Sequence, residues 1–182
     1  MKKYWYKTAM LVMALGVFTA CSDDDGPKIP EGPIALVNGA YVINTGNWNE
    51  NNGTIQWYDR DLKTVSADLF AAANGAGIGD AQDLCVYGTK IYITCSSSAK
   101  IEIVDRKDFK RIKTLNLTNE SGQPIQPRYM TAAKGNIYFT AYDGTVSQID
   151  TTSLSITKKI EVGGSHPEAL TSANGKLYIN LS

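Results

Sequence analysis

A loop near residue 50 combines a tryptophan with several asparagines, and these side chains could bind a polar, ring-shaped molecule. Trp48 offers a flat apolar face with one N–H, and Asn47, Asn49, Asn51 and Asn52 supply amide donors and acceptors. Stacking on the indole together with hydrogen bonds to the amides would suit a sugar ring or the edge of a corrin. The structural alternative is that Trp48 packs against its own sheet while the asparagines form local turns.

A second group of polar side chains stands at equivalent places in successive sequence repeats. Gln82, Arg128 and Glu168 each begin the first strand of a repeat, and Tyr142 lies in a loop corresponding to the Trp48 loop. Variable polar residues on a constant repeat frame indicate a binding surface, although random surface drift gives the same pattern. The candidate ligand-binding residues are therefore Asn47, Trp48, Asn49, Asn51, Gln82, Arg128, Tyr142 and Glu168.

The sequence does not suggest an enzyme. Its single histidine, His166, has no cysteine or histidine at metal-ligand spacing and lies in a predicted turn, so we expect a structural or solvent-exposed role. The glycine-rich segment 75–79 lacks the following helical pattern that a phosphate-binding loop requires. We interpret it as a flexible connector. We therefore expect no catalytic residue, no metal site and no cofactor.

The elements that would position these residues repeat along the chain. A glycine turn followed by apolar residues and a tyrosine recurs four times, and its equivalent positions Val42, Tyr92, Tyr138 and Tyr178 are spaced by 50, 46 and 40 residues. An aspartate closing an apolar run recurs at Asp59, Asp105 and Asp150, at spacings of 46 and 45. Units of roughly 40–45 residues with four short strands are typical of β-propeller blades.

We therefore predict an all-β chain whose residues 34–182 form part of a β-propeller with four-stranded antiparallel blades. The blades are expected at about 34–70, 80–117, 126–162 and 166–182, with a strand at 65–70 and a loop at 71–73. An open β-sandwich is disfavoured because its strands do not repeat by fours. About three and a half blades form an open arc, which indicates an N-terminal fragment of a seven-bladed ring. The alternative is a small four-bladed ring closed by residues 34–37 and the preceding segment.

Geometry within the repeats also yields two finer predictions. Loops 45–53, 71–81, 96–99, 118–127, 142–144 and 163–167 should lie on one face of the propeller. Cys85 and Cys95 are expected on opposite arms of a hairpin in which Cys95 pairs with Gln82. That register leaves the two thiols about 10 Å apart, too far for a disulfide, and we expect two small buried thiols.

The N-terminus is expected to be a targeting segment rather than part of the fold. Three lysines precede an apolar run at residues 9–20, which is too short to span a bilayer. The run ends in Thr19-Ala20-Cys21, so residues 1–21 resemble a lipoprotein signal peptide with an acylated Cys21. Cleavage near Ala20 without lipidation is the alternative. Residues 22–33 have little to bury and are expected to be a disordered tether.

Charge argues against a nucleic-acid partner. Without residues 1–20 the chain carries 15 basic and 18 acidic residues, a net charge of −3. Nucleic-acid binding requires a basic surface to meet the phosphates. We expect contact with a membrane only through the lipid anchor.

The repeat cores also resemble a known family. The segments Tyr92-Ile93-Thr94, Tyr138-Phe139-Thr140 and Tyr178-Ile179-Asn180 are similar to the YVTN repeat of seven-bladed propellers in the quinoprotein amine dehydrogenase-like superfamily. The run at residues 44–59 resembles the opening motif of YncE-like surface lipoproteins of Bacteroidota type, a group largely of unknown function. Ser22-Asp23-Asp24-Asp25 resembles their acidic export tag. The resemblance implies an outer-membrane lipoprotein at the cell surface, with a periplasm-facing position as the alternative.

Some members of that group capture cobalamin above a TonB-dependent transporter. The resemblance therefore implies capture of a corrinoid or glycan by the loop face, for delivery to such a transporter. The alternative function is a protein–protein or adhesion scaffold that uses the same loops without a small ligand. An enzyme, such as a lyase or a quinoprotein-like dehydrogenase, is a third hypothesis and would need groups from further blades.

Overall fold

The computed structural model describes residues 38–181. The expected signal peptide, Cys21, the tether and the strand at 34–37 lie outside the described residues. Within 38–181 the chain forms thirteen strands and one short helix, and every pair of neighbouring strands is antiparallel. The predicted all-β fold class is confirmed.

The strands form four successive sheets, each built from consecutive strands, which we call blades one to four. Blade one contains β1 (Gly39–Asn44), β2 (Thr54–Asp59) and β3 (Thr64–Val65). Blade two contains β4 (Ala81–Tyr87), β5 (Lys90–Cys95), β6 (Lys100–Asp105) and β7 (Arg111–Asn116). Blade three contains β8 (Pro127–Ala133), β9 (Asn136–Ala141), β10 (Thr145–Asp150) and β11 (Ser155–Glu161). Blade four contributes β12 (Pro167–Ala173) and β13 (Lys176–Leu181) to the described part of the chain.

The blades pack face to face in an open arc, with the inner strands β4, β8 and β12 side by side. Strand β5 shows why its sequence is apolar at nearly every position. Ile91 and Ile93 belong to the core shared with blade one, whereas Tyr92 belongs to the core shared with blade three. All three side chains are fully buried. At roughly 1.5–3 kcal/mol for each large apolar side chain removed from water, these two cores supply most of the driving force for stacking the blades.

A short helix replaces the strand predicted at 65–70, and that prediction was wrong. Strand β3 ends at Val65, and α1 (Leu69–Asn74) follows, so the segment 71–73 is helical rather than a loop. The carboxylate of Asp68 caps α1 by accepting a hydrogen bond of 3.1 Å from the Phe70 N–H, and Gly75 ends it in the left-handed conformation. Leu69 and Phe70 are buried between blades one and two. A six-residue helix is too short to show a helical period in the sequence.

The recurring aspartates stabilise the turns that follow β2, β6 and β10. Asp59, Asp105 and Asp150 each accept backbone N–H bonds from residues two or three positions later. Four residues after the second and third aspartates, Phe109 and Leu154 adopt positive φ values of 61° and 53°. Their buried side chains fill the two inter-blade cores and so compensate for an unfavourable backbone conformation.

The hairpin register differs by one residue from the sequence prediction. Cys95 pairs with Ala81 rather than with Gln82, because a β-bulge lies between Ala81 and Asp83. Cys85 pairs with Tyr92, and both thiols are free, as expected, but only Cys95 is buried, whereas Cys85 is partly exposed. Burial raises the pKa of Cys85 to about 11 and that of Cys95 to about 12, so both thiols are protonated at neutral pH. Within residues 38–181 the structure has no helix long and apolar enough to cross a bilayer.

Candidate functional site

A β-bulge at the start of each inner strand positions the first polar residue of the site. The pairing of β4 with β5 shifts between Ala81 and Asp83, and the pairs β8–β9 and β12–β13 shift just after Pro127 and Pro167. The shifts therefore fall at Gln82, Arg128 and Glu168, the three residues that the repeat alignment treats as equivalent. Bulges commonly redirect a side chain next to a binding site.

Hydrogen bonds between blades hold these bulges in place. The Thr94 hydroxyl of β5 donates to the backbone carbonyl of Arg128 at 2.7 Å. The equivalent Thr140 hydroxyl of β9 donates to the carbonyl of Glu168, also at 2.7 Å. Both threonines are fully buried. Blades two and three thus each fix the backbone that presents the polar side chain of the following blade.

The three polar side chains meet at the centre of the arc. Arg128 donates from Nε to Glu168 Oε2 at 3.1 Å and from Nη1 to Gln82 Oε1 at 2.9 Å. A longer contact of 3.4 Å joins Nη1 to the Ser96 hydroxyl. We call Gln82, Arg128, Tyr142 and Glu168 the central cluster. It places one cation and one anion, with accessible side-chain fractions of 13% and 24%, among neutral polar groups.

Aromatic rings line one side of the central cluster. The Tyr142 hydroxyl donates to Glu168 Oε1 at 2.6 Å, and the Arg128 guanidinium lies 4.6 Å from the centre of the Tyr142 ring. The ring of His166 contacts Tyr142 edge to face, with 4.8 Å between centroids. Partial burial and the hydrogen bond to Glu168 raise the pKa of Tyr142, so its hydroxyl is a proton donor at neutral pH.

The Trp48 loop is fixed to blade two by a buried carboxylate. Asp80 is fully buried and accepts from the backbone N–H of Asn49 at 3.0 Å and from that of Asn51 at 2.9 Å. The Ser98 hydroxyl lies 2.5 Å from the side-chain oxygen of Asn51. The loop is therefore held in one conformation although it lies at the surface.

The asparagines of this loop act mainly in local structure. Asn47 donates to the Glu50 carboxylate at 2.9 Å, and Asn49 and Asn51 have positive φ values of 64° and 53°. The hydrogen bond and the left-handed backbone agree with the structural alternative, in which the asparagines form local turns. Trp48, in contrast, does not pack into its sheet, since 52% of its surface is exposed. The indole is thus presented to solvent on an ordered loop.

The structure divides the eight predicted residues into two groups. Gln82, Arg128, Tyr142 and Glu168 form the central cluster, whereas Asn47, Trp48, Asn49 and Asn51 lie together on the loop of blade one. The turn at residues 96–99 contacts both groups, through Ser96 and Ser98. The predicted convergence of the loops on one face agrees with these contacts and with the hydrogen bond from Tyr142 N to Gln126 O.

Sequence reasoning missed two residues of this face. Asp80 and Ser96 are fully buried and organise the loops around them, but Asp80 is a lone aspartate after a glycine-rich segment and Ser96 is one of three consecutive serines. Only the position of Asp80, directly before an inner strand, distinguishes it in the sequence. Within the described residues, no three His, Cys, Asp or Glu side chains are grouped so that they could hold a metal ion.

Solved structures with a similar fold are β-propellers. The chain aligns with "Dihydro-heme d1 dehydrogenase NirN in complex with DHE" at a TM-score of 0.58 and 11% identity, covering 78% of this chain and 29% of that one. It aligns with the "WD40 beta propeller domain of Doa1" at a TM-score of 0.57 and 16% identity, covering 78% and 47%. The aligned part thus spans less than half the length of either structure, and these likenesses show the fold alone.

Sequence comparison places the chain in a family. A search of curated proteins finds no match. A family model described as "Domain of unknown function (DUF5074)" matches residues 38–180, nearly the whole described part of the chain. With the repeated blades and the central cluster in view, the chain is a propeller-fold protein that belongs to the DUF5074 family.

Proposed function

We propose that the loop face of this propeller binds a small polar ligand at the central cluster. The main support is structural: Arg128, Glu168 and Gln82 come from three different blades and contact one another. Each residue lies in a bulge near the start of its inner strand, so the repeated blades bring three different polar groups together. Together with Tyr142 they present a cation, an anion, an amide and an aromatic ring within a few ångströms.

The chemistry of the cluster favours a ligand rich in hydroxyl or amide groups. Arg128 and Glu168 are paired with each other and largely shielded from solvent, so no strongly charged ligand is selected. The Tyr142 ring adds a surface on which a flat or saturated ring can stack. A glycan or the amide-bearing edge of a corrinoid fits this description. The proposed role is capture without chemical conversion.

Titration of the full chain with cobalamin, cobinamide and a panel of oligosaccharides, measured by calorimetry, tests the proposal. Arg128→Leu should weaken binding of the active ligand by roughly 10- to 100-fold, because charge-assisted hydrogen bonds are lost. Arg60→Leu is the matched control, since Arg60 is exposed in the turn after β2. Absence of saturable binding by every compound would refute small-ligand capture.

We further propose that the protein acts at the outer surface of an outer membrane and passes its ligand to a TonB-dependent transporter. Support comes from the lipoprotein-like residues 1–21 and from the resemblance stated above. Metabolic labelling with a palmitate analogue should modify the wild-type protein and not Cys21→Ala. Protease treatment of intact cells should then separate a surface position from a periplasmic one. Co-purification from detergent-solubilised membranes tests the transporter.

The exposed Trp48 supports a second candidate function, a protein–protein or adhesion scaffold. An exposed tryptophan on an ordered loop is a frequent centre of protein interfaces. A scaffold should lose its partner in a pulldown when Trp48→Ala is introduced and keep it with Arg128→Leu. Small-ligand capture instead predicts that Arg128→Leu weakens ligand binding more than Trp48→Ala does.

A further inference from the structure

A cleft of about 190 Å³ opens between blades two and three, and none of the four residues of the central cluster lines it. Its walls come from β10 and β11 of blade three, from Phe139 of β9, from Asp143 in the turn between β9 and β10, and from the end of β7 with the segment that follows it. The floor is apolar and formed by Leu117, Ile125 and Phe139, and Leu117 and Phe139 are almost completely buried. The cleft extends the hydrophobic core shared by the two blades.

The segment bordering the cleft is fixed by hydrogen bonds. The backbone N–H of Leu117 donates to Ala99 O at 2.8 Å, and that of Ile125 donates to Leu117 O at 3.0 Å. Asn119 accepts two further N–H bonds within the loop. The cleft therefore exists before any ligand arrives, so binding would not have to supply the free energy of ordering this segment.

The polar groups of the cleft favour an acceptor or an anion. Phe139, Ser147 and Lys159 lie side by side on paired strands, which places an ammonium and a hydroxyl next to an aromatic ring. Asp143 uses both carboxylate oxygens, accepting from Thr145 Oγ1 at 2.7 Å and from Lys159 Nζ at 2.8 Å. The half-exposed ammonium of Lys159 has three N–H donors, and only one is needed for Asp143.

The volume limits the size of a ligand. An apolar cavity of about 150 Å³ accommodates benzene, whereas sites for drug-sized molecules measure about 300–1,000 Å³. A cleft of about 190 Å³ therefore has room for a single ring or a short branched chain with one polar group. We propose that this cleft is a second binding site, which takes a small carboxylate with a one-ring or short-chain apolar body. The carboxylate pairs with Lys159 and the apolar body lies against Phe139.

Titration of the ¹⁵N-labelled full chain with phenylacetate, followed by NMR, tests this site. Amide shifts should concentrate at Leu117, Thr145 and Ser147 and leave Arg128 unchanged. Phenylacetate should bind at least about tenfold more tightly than 2-phenylethanol, which lacks the charge. Shifts elsewhere, or equal affinity for the two compounds, would overturn the proposal.

Two variants probe the polar and the apolar parts of the cleft separately. Lys159→Gln should abolish the preference for the carboxylate, whereas Lys158→Gln, on the opposite face of β11, should preserve it. Ser147→Leu should fill the cleft and remove binding, with thermal unfolding monitored to show that the variant folds. If Lys158→Gln and Lys159→Gln have the same effect, or if Ser147→Leu still binds, the assignment is wrong. Binding at the central cluster is measured with different ligands, so the two proposals fail independently.

Discussion

Among single residues, Tyr92 places an unsatisfied hydroxyl in the core. Its ring is fully buried between blades two and three, yet its hydroxyl meets no hydrogen-bonding partner within residues 38–181. Burial, reinforced by the nearby Cys85, Asp150 and Tyr87, raises the pKa of Tyr92 to about 12. The raised pKa contributes stability that is complete below about pH 10 and is lost as the pH rises through 12.

Tyr92→Phe should therefore stabilise the protein by about 1 kcal/mol at pH 7, because it removes an unsatisfied buried hydroxyl. The loss of stability between pH 10 and 12 should become smaller but persist in part, since burial raises the pKa of Tyr41 to about 12 as well. Urea unfolding at several pH values measures both effects. Tyr178→Phe at the equivalent exposed position should change stability by less than about 0.5 kcal/mol. A clear loss of stability in Tyr92→Phe would contradict this account.

At the scale of elements, the blades are joined by a repeated side-chain contact as well as by apolar packing. Thr140→Val should lower the free energy of unfolding by about 1–3 kcal/mol, since it removes the fully buried Thr140 hydroxyl that donates to the Glu168 carbonyl. Thr64→Val, on the exposed strand β3, is the control and should be nearly neutral. The measurement is the midpoint of chemical unfolding. Equal midpoints for the two variants would show that the hydrogen bond between blades is unimportant.

The helix α1 depends on one cap that also reaches the neighbouring strand. Asp68 accepts from the N–H of Phe70 in α1 and from that of Ile55 in β2, at 3.1 and 3.2 Å. Asp68→Ala should lower the free energy of unfolding by about 1–2 kcal/mol. Asp68→Asn keeps an acceptor oxygen and should retain most of the stability. If both substitutions lower the free energy of unfolding equally, the charge of Asp68 rather than its hydrogen bonds stabilises the helix.

At the scale of the whole molecule, burial differs between blades in a regular way. Strand β5 is covered on both faces by neighbouring blades, and its residues from Ile91 to Cys95 are buried. The equivalent strand β13 has neighbouring sheet on one face in the described part of the chain, and Tyr178 is 51% exposed. Packing on both faces is what protects backbone hydrogen bonds from opening.

Hydrogen exchange of the full chain should accordingly be slowest in β5 and β9 and fastest in β3 and β13. The expected difference is at least tenfold in protection, because opening an uncovered strand exposes fewer apolar groups. Mass spectrometry of peptic peptides provides the measurement. Protection of β13 equal to that of β5 would mean that another surface covers the outer face of blade four.

Much of this architecture is predictable from the sequence, because each sheet of a propeller pairs strands that are neighbours along the chain. Each sheet is made of consecutive strands, so hairpin turns, short apolar runs and the recurring aspartates determine most pairings within about 45 residues. The same periodicity identified Gln82, Arg128 and Glu168 as equivalent positions. Sequence could not show α1, whose six residues are too few for a helical period, nor the bulge that moved Cys95 from Gln82 to Ala81.

The blade repeat, the order of strands and the polar residue near the start of each inner strand follow from the residues alone. Which side chains meet across the blades depends on the folded arrangement. The contact of Arg128 with Gln82 and Glu168 joins residues 46 and 40 positions apart, and it depends on bulges and on how closely the blades approach. The hydrogen bonds from the Trp48 loop to Asp80 also join two blades. The cleft beside Lys159 likewise lies between blades. Strand positions follow from local apolar runs and turns, whereas contacts between blades depend on distances and angles that no local pattern encodes.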